Sequence, residues 1–234
     1  MRIEHAVVMV TGASGNLGRA VVEALASAGA RLALVDRSTD RLRRTYGDED
    51  AGRQYLSTDL LDASAVKASV AAAVDRFSRI DALCNLAGGF RMGEAVHESA
   101  DATWELMWDL NVRTMLNMVR AVIPHMLDRG GGRIVNVGAH SAQKGVAQMG
   151  AYVASKSAVI RITEAMAAEL RDKNINVNCV LPTVIDTPEN RAAMPKADPS
   201  KWVAPTDLAR VIAFLASEPA RAIHGATVPV TGLS

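Results

Sequence analysis

The sequence predicts an α/β fold: a doubly wound, seven-stranded parallel sheet with helices on both faces, built as a single domain spanning 1–234. Three observations predict it. Short apolar runs alternate with Ala-rich helical stretches along the whole chain, the pattern of a parallel sheet crossed by helices. A length of 234 residues suits one large α/β domain, and no linker or internal repeat divides it. Finally, the unusual residues Gly12, Ala87-Gly88-Gly89, Gly138–Ser141 and Pro182–Thr187 each follow directly after an apolar run. In a parallel sheet those points share the carboxyl edge, where open α/β folds bind ligands.

Taken in order, Ala6–Val10 is a first strand and Gly18–Ala28 a first helix. Leu32–Val35 is a second strand ending in Asp36, and Gln54–Ser57 a third, followed by a helix over Ala63–Phe77. Ala82–Asn85 is the fourth. A long helix then runs over about Thr103–Leu127, interrupted or bent at Pro124, which lacks the N–H of a helical bond. Gly130-Gly131-Gly132 ends it and delivers the chain into the strand Arg133–Val137. The next helix, about Ala151–Arg171, precedes the strand Asn176–Leu181. After an irregular, Pro-rich stretch come a helix near Asp207–Ala216 and a last strand near Thr227–Val230.

Composition narrows the function. Apolar residues make up 49% and charged residues 22%, which fits a folded soluble chain. The net charge is +1 with no run of one sign, so no nucleic-acid partner is expected. Apolar runs fall far short of the ~20 residues that span a bilayer, so no membrane partner is expected either. Glu4 and His5 interrupt the N-terminus before any apolar signal core, which points to the cytoplasm. Cys84 and Cys179 sit in strand-like contexts without zinc spacing, so they read as buried hydrophobes, and no metal is expected.

The first crossover reads Thr11-Gly12-Ala13-Ser14-Gly15-Asn16-Leu17-Gly18. Glycines let such a turn approach a pyrophosphate, whose charge meets the helix N-terminus. Asp36, ending the second strand, stands where an acid accepts hydrogen bonds from the adenosine ribose hydroxyls. A carboxylate there repels the extra phosphate of NADP, whereas Arg37 next to it could accept that phosphate. NAD is the favoured cofactor, with NADP possible. Asp59, before Leu60, can hydrogen-bond the adenine edge or serve as a helix cap.

Tyr152 and Lys156, four apart near a helix start, lie on one helix face. An ammonium beside a phenol lowers its pKa from ~10 toward neutrality. Such a tyrosine can give a proton to a carbonyl as hydride arrives, or take one from an alcohol.

With these residues in place the chain resembles the short-chain dehydrogenase/reductase family, in its single-domain, Rossmann-like form, over nearly its whole length. The matching pieces are the Gly-rich turn, Asp59, Asn85-Leu86-Ala87-Gly88, Asn111, Tyr152-xxx-Lys156, and Asn178–Pro182 with Thr187. The resemblance implies an NAD(P)-dependent oxidoreductase moving hydride between nicotinamide and a small carbonyl or alcohol substrate. It implies Tyr152 as general acid/base, Lys156 holding the nicotinamide ribose, Asn111 anchoring a proton-relay water, and Thr187, after Pro182, Thr183 and Val184, at the nicotinamide carboxamide. It also implies a homotetramer or homodimer, through the helices Thr103–Leu127 and Ala151–Arg171, whose many Ala, Met and Leu residues exceed what one sheet face needs.

Two departures stand out. The short members of the family place glycines at the first, fifth and seventh positions of the turn. Here they are Gly12, Gly15 and Gly18, with Asn16 in a usual glycine position. The family's catalytic serine position, thirteen before the tyrosine, holds Ala139, with His140 and Ser141 close by as possible substitutes. Both departures, with Ala87–Phe90, Met107-Trp108 and Leu181–Trp202, are similar to quinonoid dihydropteridine reductase, a member without that serine. Asn111, Gly132–Val137 and Gly225–Gly232 are similar instead to 3-oxoacyl-carrier-protein reductases. The long polar stretch 183–204 has the length of a substrate lid. Phe90, Met92, Met149, Met194 and Trp202 can wall an apolar pocket with Ala139, His140 and Ser141, or can be ordinary packing. Alternatives to carbonyl chemistry are an imine or quinone reductase and a cofactor-binding protein with little turnover.

Overall fold

The computed structural model describes residues 3–234, which form strands β1 (Val7–Thr11), β2 (Arg31–Asp36), β3 (Arg53–Ser57), β4 (Ala82–Asn85), β5 (Gly132–Val137), β6 (Ile175–Pro182) and β7 (Thr227–Val230). All pair in parallel, in the order β3-β2-β1-β4-β5-β6-β7. The helices are α1 (Asn16–Ser27), α2 (Thr39–Tyr46), α3 (Ala63–Phe77), α4 (Asp101–Trp108), α5 (Thr114–Asp128), α6 (Gly150–Leu170), α7 (Pro188–Ala193) and α8 (Pro205–Leu215). The chain winds outward through β1, β2 and β3, then returns to place β4 on the other side of β1. The order therefore reverses between β1 and β4, and a crevice opens at that carboxyl edge.

Strand periodicity sorts the core into two halves. Val7 and Met9 of β1 pack with Val66 and Val70 of α3, Met115 and Val122 of α5, and Val159 of α6. Val8 and Val10 point to the opposite face, against Val21 and Leu25 of α1 and Leu208 and Ile212 of α8. Both faces are covered, which is why these strands are continuous apolar runs rather than alternating ones. At the amino edge the Asp81 carboxylate accepts a hydrogen bond from the Val7 amide at 2.8 Å and pins β1 beside β4.

The structure corrects the reading of the long helix. Its irregularity lies not at Pro124 but in a π-helical turn, Asp109–Arg113, between α4 and α5. Pro124 sits inside α5 on its exposed side, where water can reach the carbonyl that its missing N–H leaves free. The π turn carries Asn111, and such one-turn bulges commonly serve to re-aim a functional side chain. Helix α2 escapes the sequence reading because half of its eight residues are charged and only Leu42 is buried. Cys84 and Cys179 are free and buried, in β4 and β6.

Candidate active site

The Gly-rich turn leads from β1 into α1. Gly12 has φ +63°, and a Cβ there would stand 3.1 Å from the Ala87 backbone. At Gly18 a Cβ would lie 2.3 Å from the Gly12 carbonyl oxygen, so the glycine is what lets the helix sit tightly against the turn. Arg19 N to Gly15 O is the first bond of α1, and the N–H groups of Asn16, Leu17 and Gly18 precede it. Those donors and the positive end of the helix suit a pyrophosphate. Asn16 begins α1 and donates across the crevice to Glu189 at 2.6 Å.

A cleft of about 1210 Å³ runs from this turn past Asp36, Arg37, Asp59, Leu60, Ala87 and Gly88. Asp36 accepts from the Ser14 amide at 3.0 Å, the Ser14 hydroxyl at 2.7 Å and the Arg37 amide at 2.8 Å. Arg41 stands 3.9 Å away, and Arg44 and Arg53 line the same end. Asp59 lines the cleft and accepts from the Leu61 amide at 3.0 Å, in the turn before α3 rather than at its cap. The cap of α3 itself is Asp62. These features fit a dinucleotide: a cradle that a Cβ would fill, free helix N–H groups, and an acid at the end of β2.

The strand ends are tied by polar bonds that local sequence patterns did not show. Thr11 Oγ1 accepts from the amides of Leu86 and Ala87 at 3.0 and 3.1 Å, joining β1 to the segment after β4. Asn85 donates to Asn136, and Asn136 to Thr163, each at 2.9 Å and buried. Tyr46 of α2 donates to the Ala13 carbonyl at 2.6 Å and braces the Gly-rich turn. None of these long-range partners follows from a local pattern.

Catalytic candidates converge beneath Gly88. A Cβ on that glycine would lie 2.7 Å from Asn111 Oδ1 and 3.3 Å from Lys156 Nζ, so its absence makes room for both. Asn111 accepts from the Gly89 amide at 3.0 Å and donates to the Gly89 carbonyl at 3.1 Å and to Ser155 at 3.0 Å. Lys156 is only 7% exposed, and its ammonium donates to the Val137 carbonyl at 2.8 Å. Burial pulls its pKa down to about 8. Tyr152, one helical turn earlier, has its phenol pushed up to about 12 by burial. Here the structure departs from expectation: the lysine charge is given to a backbone carbonyl, and it does not lower the phenol.

Ala139 is buried, extended, and packed in the same apolar cluster as Tyr152. A short 3₁₀ turn, His140–Gln143, follows it, leaving His140 exposed and Ser141 half-buried. Phe90 meets Tyr152 edge-on, with ring centroids 4.8 Å apart. Met92 and Met149 line a small adjoining hollow. Met194 is exposed beyond α7, and Trp202 sits near the C-terminal turn, where a Cβ on Gly232 would touch its carbonyl oxygen. Among the described residues, Phe90 is the aromatic ring that pairs with Tyr152.

After β6, Pro182, Thr183 and Val184 lead into an excursion closed at its base by pairing of Ile185 with Val203. Within it Thr187 caps α7, its hydroxyl accepting from the Asn190 amide at 3.2 Å. Glu189, not anticipated from sequence, reaches from this excursion to Asn16 and lines the cleft.

Comparison with known proteins supports this geometry. The chain matches the short chain dehydrogenase family over residues 6–198. It is 33% identical to D-threitol dehydrogenase of Mycolicibacterium smegmatis over 243 residues, covering 99% of this chain and 93% of that one. Among solved structures, 3-ketoacyl-(acyl-carrier-protein) reductase from Brucella melitensis, complexed with NADH, superposes with a TM-score of 0.87 at 28% identity, covering 98% of each chain. Carveol dehydrogenase from Mycobacterium avium, in complex with NAD, gives 0.89 at 27% identity, with 99% of this chain and 98% of that one covered. Fold, cleft and similarity over nearly the full length lead to one conclusion: the chain belongs to the short-chain dehydrogenase family, as an NAD(P)-dependent oxidoreductase of carbonyl and alcohol groups.

Proposed function

We propose that this protein prefers NAD and interconverts an activated carbonyl with its alcohol, using Tyr152 as general acid/base. The observation that carries the reading is the meeting of Lys156 and Asn111 beneath Gly88 at the end of the dinucleotide cleft, with Tyr152 one helical turn before the lysine. A nicotinamide bound there would supply hydride to the carbonyl carbon or accept it from the alcohol. In reduction Tyr152 gives its phenolic proton to the developing alkoxide; in oxidation it takes the proton back. Lys156 holds the nicotinamide ribose and replaces the tyrosine proton from the protein side. Asn111, fixed by Gly89 and Ser155, holds the water of that relay. Gly12, Ser14, Gly15, Asn16, Leu17 and Gly18 hold the pyrophosphate half, Asp36 with Arg37 the adenosine ribose, and Asp59, Leu60, Ala87 and Gly88 the adenine side. Pro182, Thr183, Val184 and Thr187 flank the nicotinamide.

The substrate lies against Phe90, Met149, Ala139, His140 and Ser141, under a lid formed by 183–204 that carries Met194 and Trp202. The bond from Asn16 to Glu189 supports the lid, because it bridges that segment to the nucleotide turn. Ala139 supplies no hydroxyl to the substrate oxygen, which motivates a second reading, an imine or quinone reductase of the dihydropteridine type. The relatives named above support carbonyl or alcohol chemistry first. A homotetramer is supported by the exposed Ala154 and Ala165 of α6, with the half-buried Ala158 and Ile162 between them, and by Trp108, 44% exposed. Two free buried thiols suit a reducing cytoplasm.

Four outcomes are expected. Loss of one donor to a developing oxyanion typically costs ~10²–10³-fold in turnover, so the wild type should be slow on simple ketones and faster on quinones or other activated acceptors. Steady-state assays should show Ala139→Ser raising ketone turnover with unchanged cofactor affinity, and Tyr152→Phe abolishing it. Rapid wild-type ketone reduction that Ser141→Ala cripples would assign the missing hydroxyl to Ser141 instead. In fluorescence titrations NADH should bind about tenfold tighter than NADPH, the scale of one charged hydrogen bond, and Asp36→Ala should narrow or invert that ratio. Tighter NADPH binding by the wild type would show Arg37 dominating.

The third outcome concerns Lys156 in nucleotide-free protein. Its folded pKa, about 8, lies below the ordinary lysine value of 10.5, so the folded state binds fewer protons between those pH values. The cost of burying this charge is full below pH 8 and is relieved as pH rises toward 10.5. Denaturant titrations should therefore show Lys156→Met losing up to about 3 kcal/mol relative to wild type between pH 7 and 10, and parallel curves would refute the burial argument. Fourth, light scattering at micromolar concentration should give a tetrameric mass, and a monomer would remove the oligomer from the reading.

A further inference from the structure

The amino edge of the sheet, on the far side from the dinucleotide cleft, holds a second cavity of about 350 Å³. Its charged lining is Arg79, Arg129, Arg133 and Arg221 against Asp81 and Glu218, two positive charges in excess. Two of the arginines are already matched: Arg79 donates to Asp81, and Arg221 lies 3.4 Å from Glu218. Arg129 and Arg133 have no carboxylate within ion-pair distance among the described residues. Arg133 is the unusual one. It is only 8% exposed, it lies on β5 rather than on a loop, and its Nε is buried with no hydrogen-bond partner. A guanidinium nitrogen removed from water and left without an acceptor is costly, and native structures keep few such groups.

The wall around it is built, not loose. The chain turns through Gly130 and Gly131, both with positive φ, and the Asn174 side chain donates to the Gly130 carbonyl at 3.0 Å. The Gly132 amide donates to the Asn174 carbonyl at 3.1 Å and holds the loop to the start of β6. We propose that this cavity is a binding site for a dianionic phosphate, free or carried as a small phosphate monoester, with Arg133 and Arg129 as its main ligands. Planar guanidinium forks pair two oxygens of one phosphate, and the excess of two positive charges matches a dianion. The site is independent of the cofactor cleft. β5 separates its Arg133 end from the Val137 end, roughly 13 Å away at the rise of an extended strand.

The test uses NADH-saturated protein, so that the cofactor cleft is filled, at constant ionic strength set with chloride. Inorganic phosphate and glycerol phosphate are titrated separately, with succinate as a dicarboxylate control, reading the melting temperature and calorimetric heat. Expected is a saturable rise in melting temperature with phosphate or the monoester, the tighter of the two naming the source. Arg133→Met and Arg129→Gln should each weaken it about tenfold or more, while NADH turnover stays as in wild type. Arg129 is exposed at the end of α5, so its variant keeps the test open should Arg133→Met fail to fold. A phosphate response undiminished in Arg129→Gln, a response equalled by chloride, or a tighter response to succinate would overturn the proposal.

Discussion

The bond from Lys156 to the Val137 carbonyl is the contact on which the catalytic end depends. It ties the first turns of α6 to the last residue of β5, and so fixes where Tyr152 stands relative to the segment Gly138–Ser141. An ammonium this deeply buried cannot be left without a partner. Val137 is its partner here, and the Cys179 side chain is close enough to act on its charge. Gly88 makes the arrangement sterically possible and Asn111 shares the same space, so three different crossovers meet around one charge. Burial raises the phenol of Tyr152, so it keeps its proton through neutral pH. That is the state a reductase needs before it gives a proton away.

A second layer of polar bonds keeps the cleft open while the core stays dry. The Asn85–Asn136–Thr163 chain crosses three elements at the heart of the sheet. Thr11 satisfies two amides that the end of β4 leaves unpaired, and Tyr46 holds the Gly-rich turn from the side. Apart from Asn85 Oδ1, which is buried without a partner, these groups are occupied by protein, whereas the first N–H groups of α1 are not. The distinction matters for function, because a site must leave unsatisfied only the groups that its ligand will satisfy.

The strands and both cores were legible because burial on two faces writes itself into sequence as unbroken apolar runs, as in Val7–Val10 and Leu32–Val35. The Gly-rich turn, Asp36, Tyr152 and Lys156 were legible because their chemistry depends on short spacings. Other features were not. Helix α2 has a single buried side chain, so no apolar period announces it. The π turn at Asp109–Arg113 has no residue that demands it, whereas Pro124 draws attention and yet lies harmlessly on an exposed face. Glu189 meets Asn16 across 173 positions, and Thr163 meets Asn136 across 27, distances over which spacing rules say nothing. The effect of Lys156 on Tyr152 was misjudged for a similar reason: the helix places them together, but the carbonyl that takes the charge comes from another strand.

The parallel topology also explains why positive charge gathers at both edges, and why that does not account for Arg133. At the carboxyl edge the helix N-termini arrive, with free N–H groups and positive dipole ends, which favours an anion such as pyrophosphate. At the amino edge the helix C-termini arrive, and cations there offset their negative ends. Arg76 in the last turn of α3 and Arg129 at the end of α5 are placed for that purpose. Arg133 is not, since it lies on a strand past the glycine turn, where the field of α5 has fallen away. Asp81 and Glu218 attract it across the cavity, but each is already paired with an arginine of its own. What remains is a buried cation facing a cavity with surplus positive charge, an arrangement that an arriving anion completes and that the folded chain alone leaves unfinished.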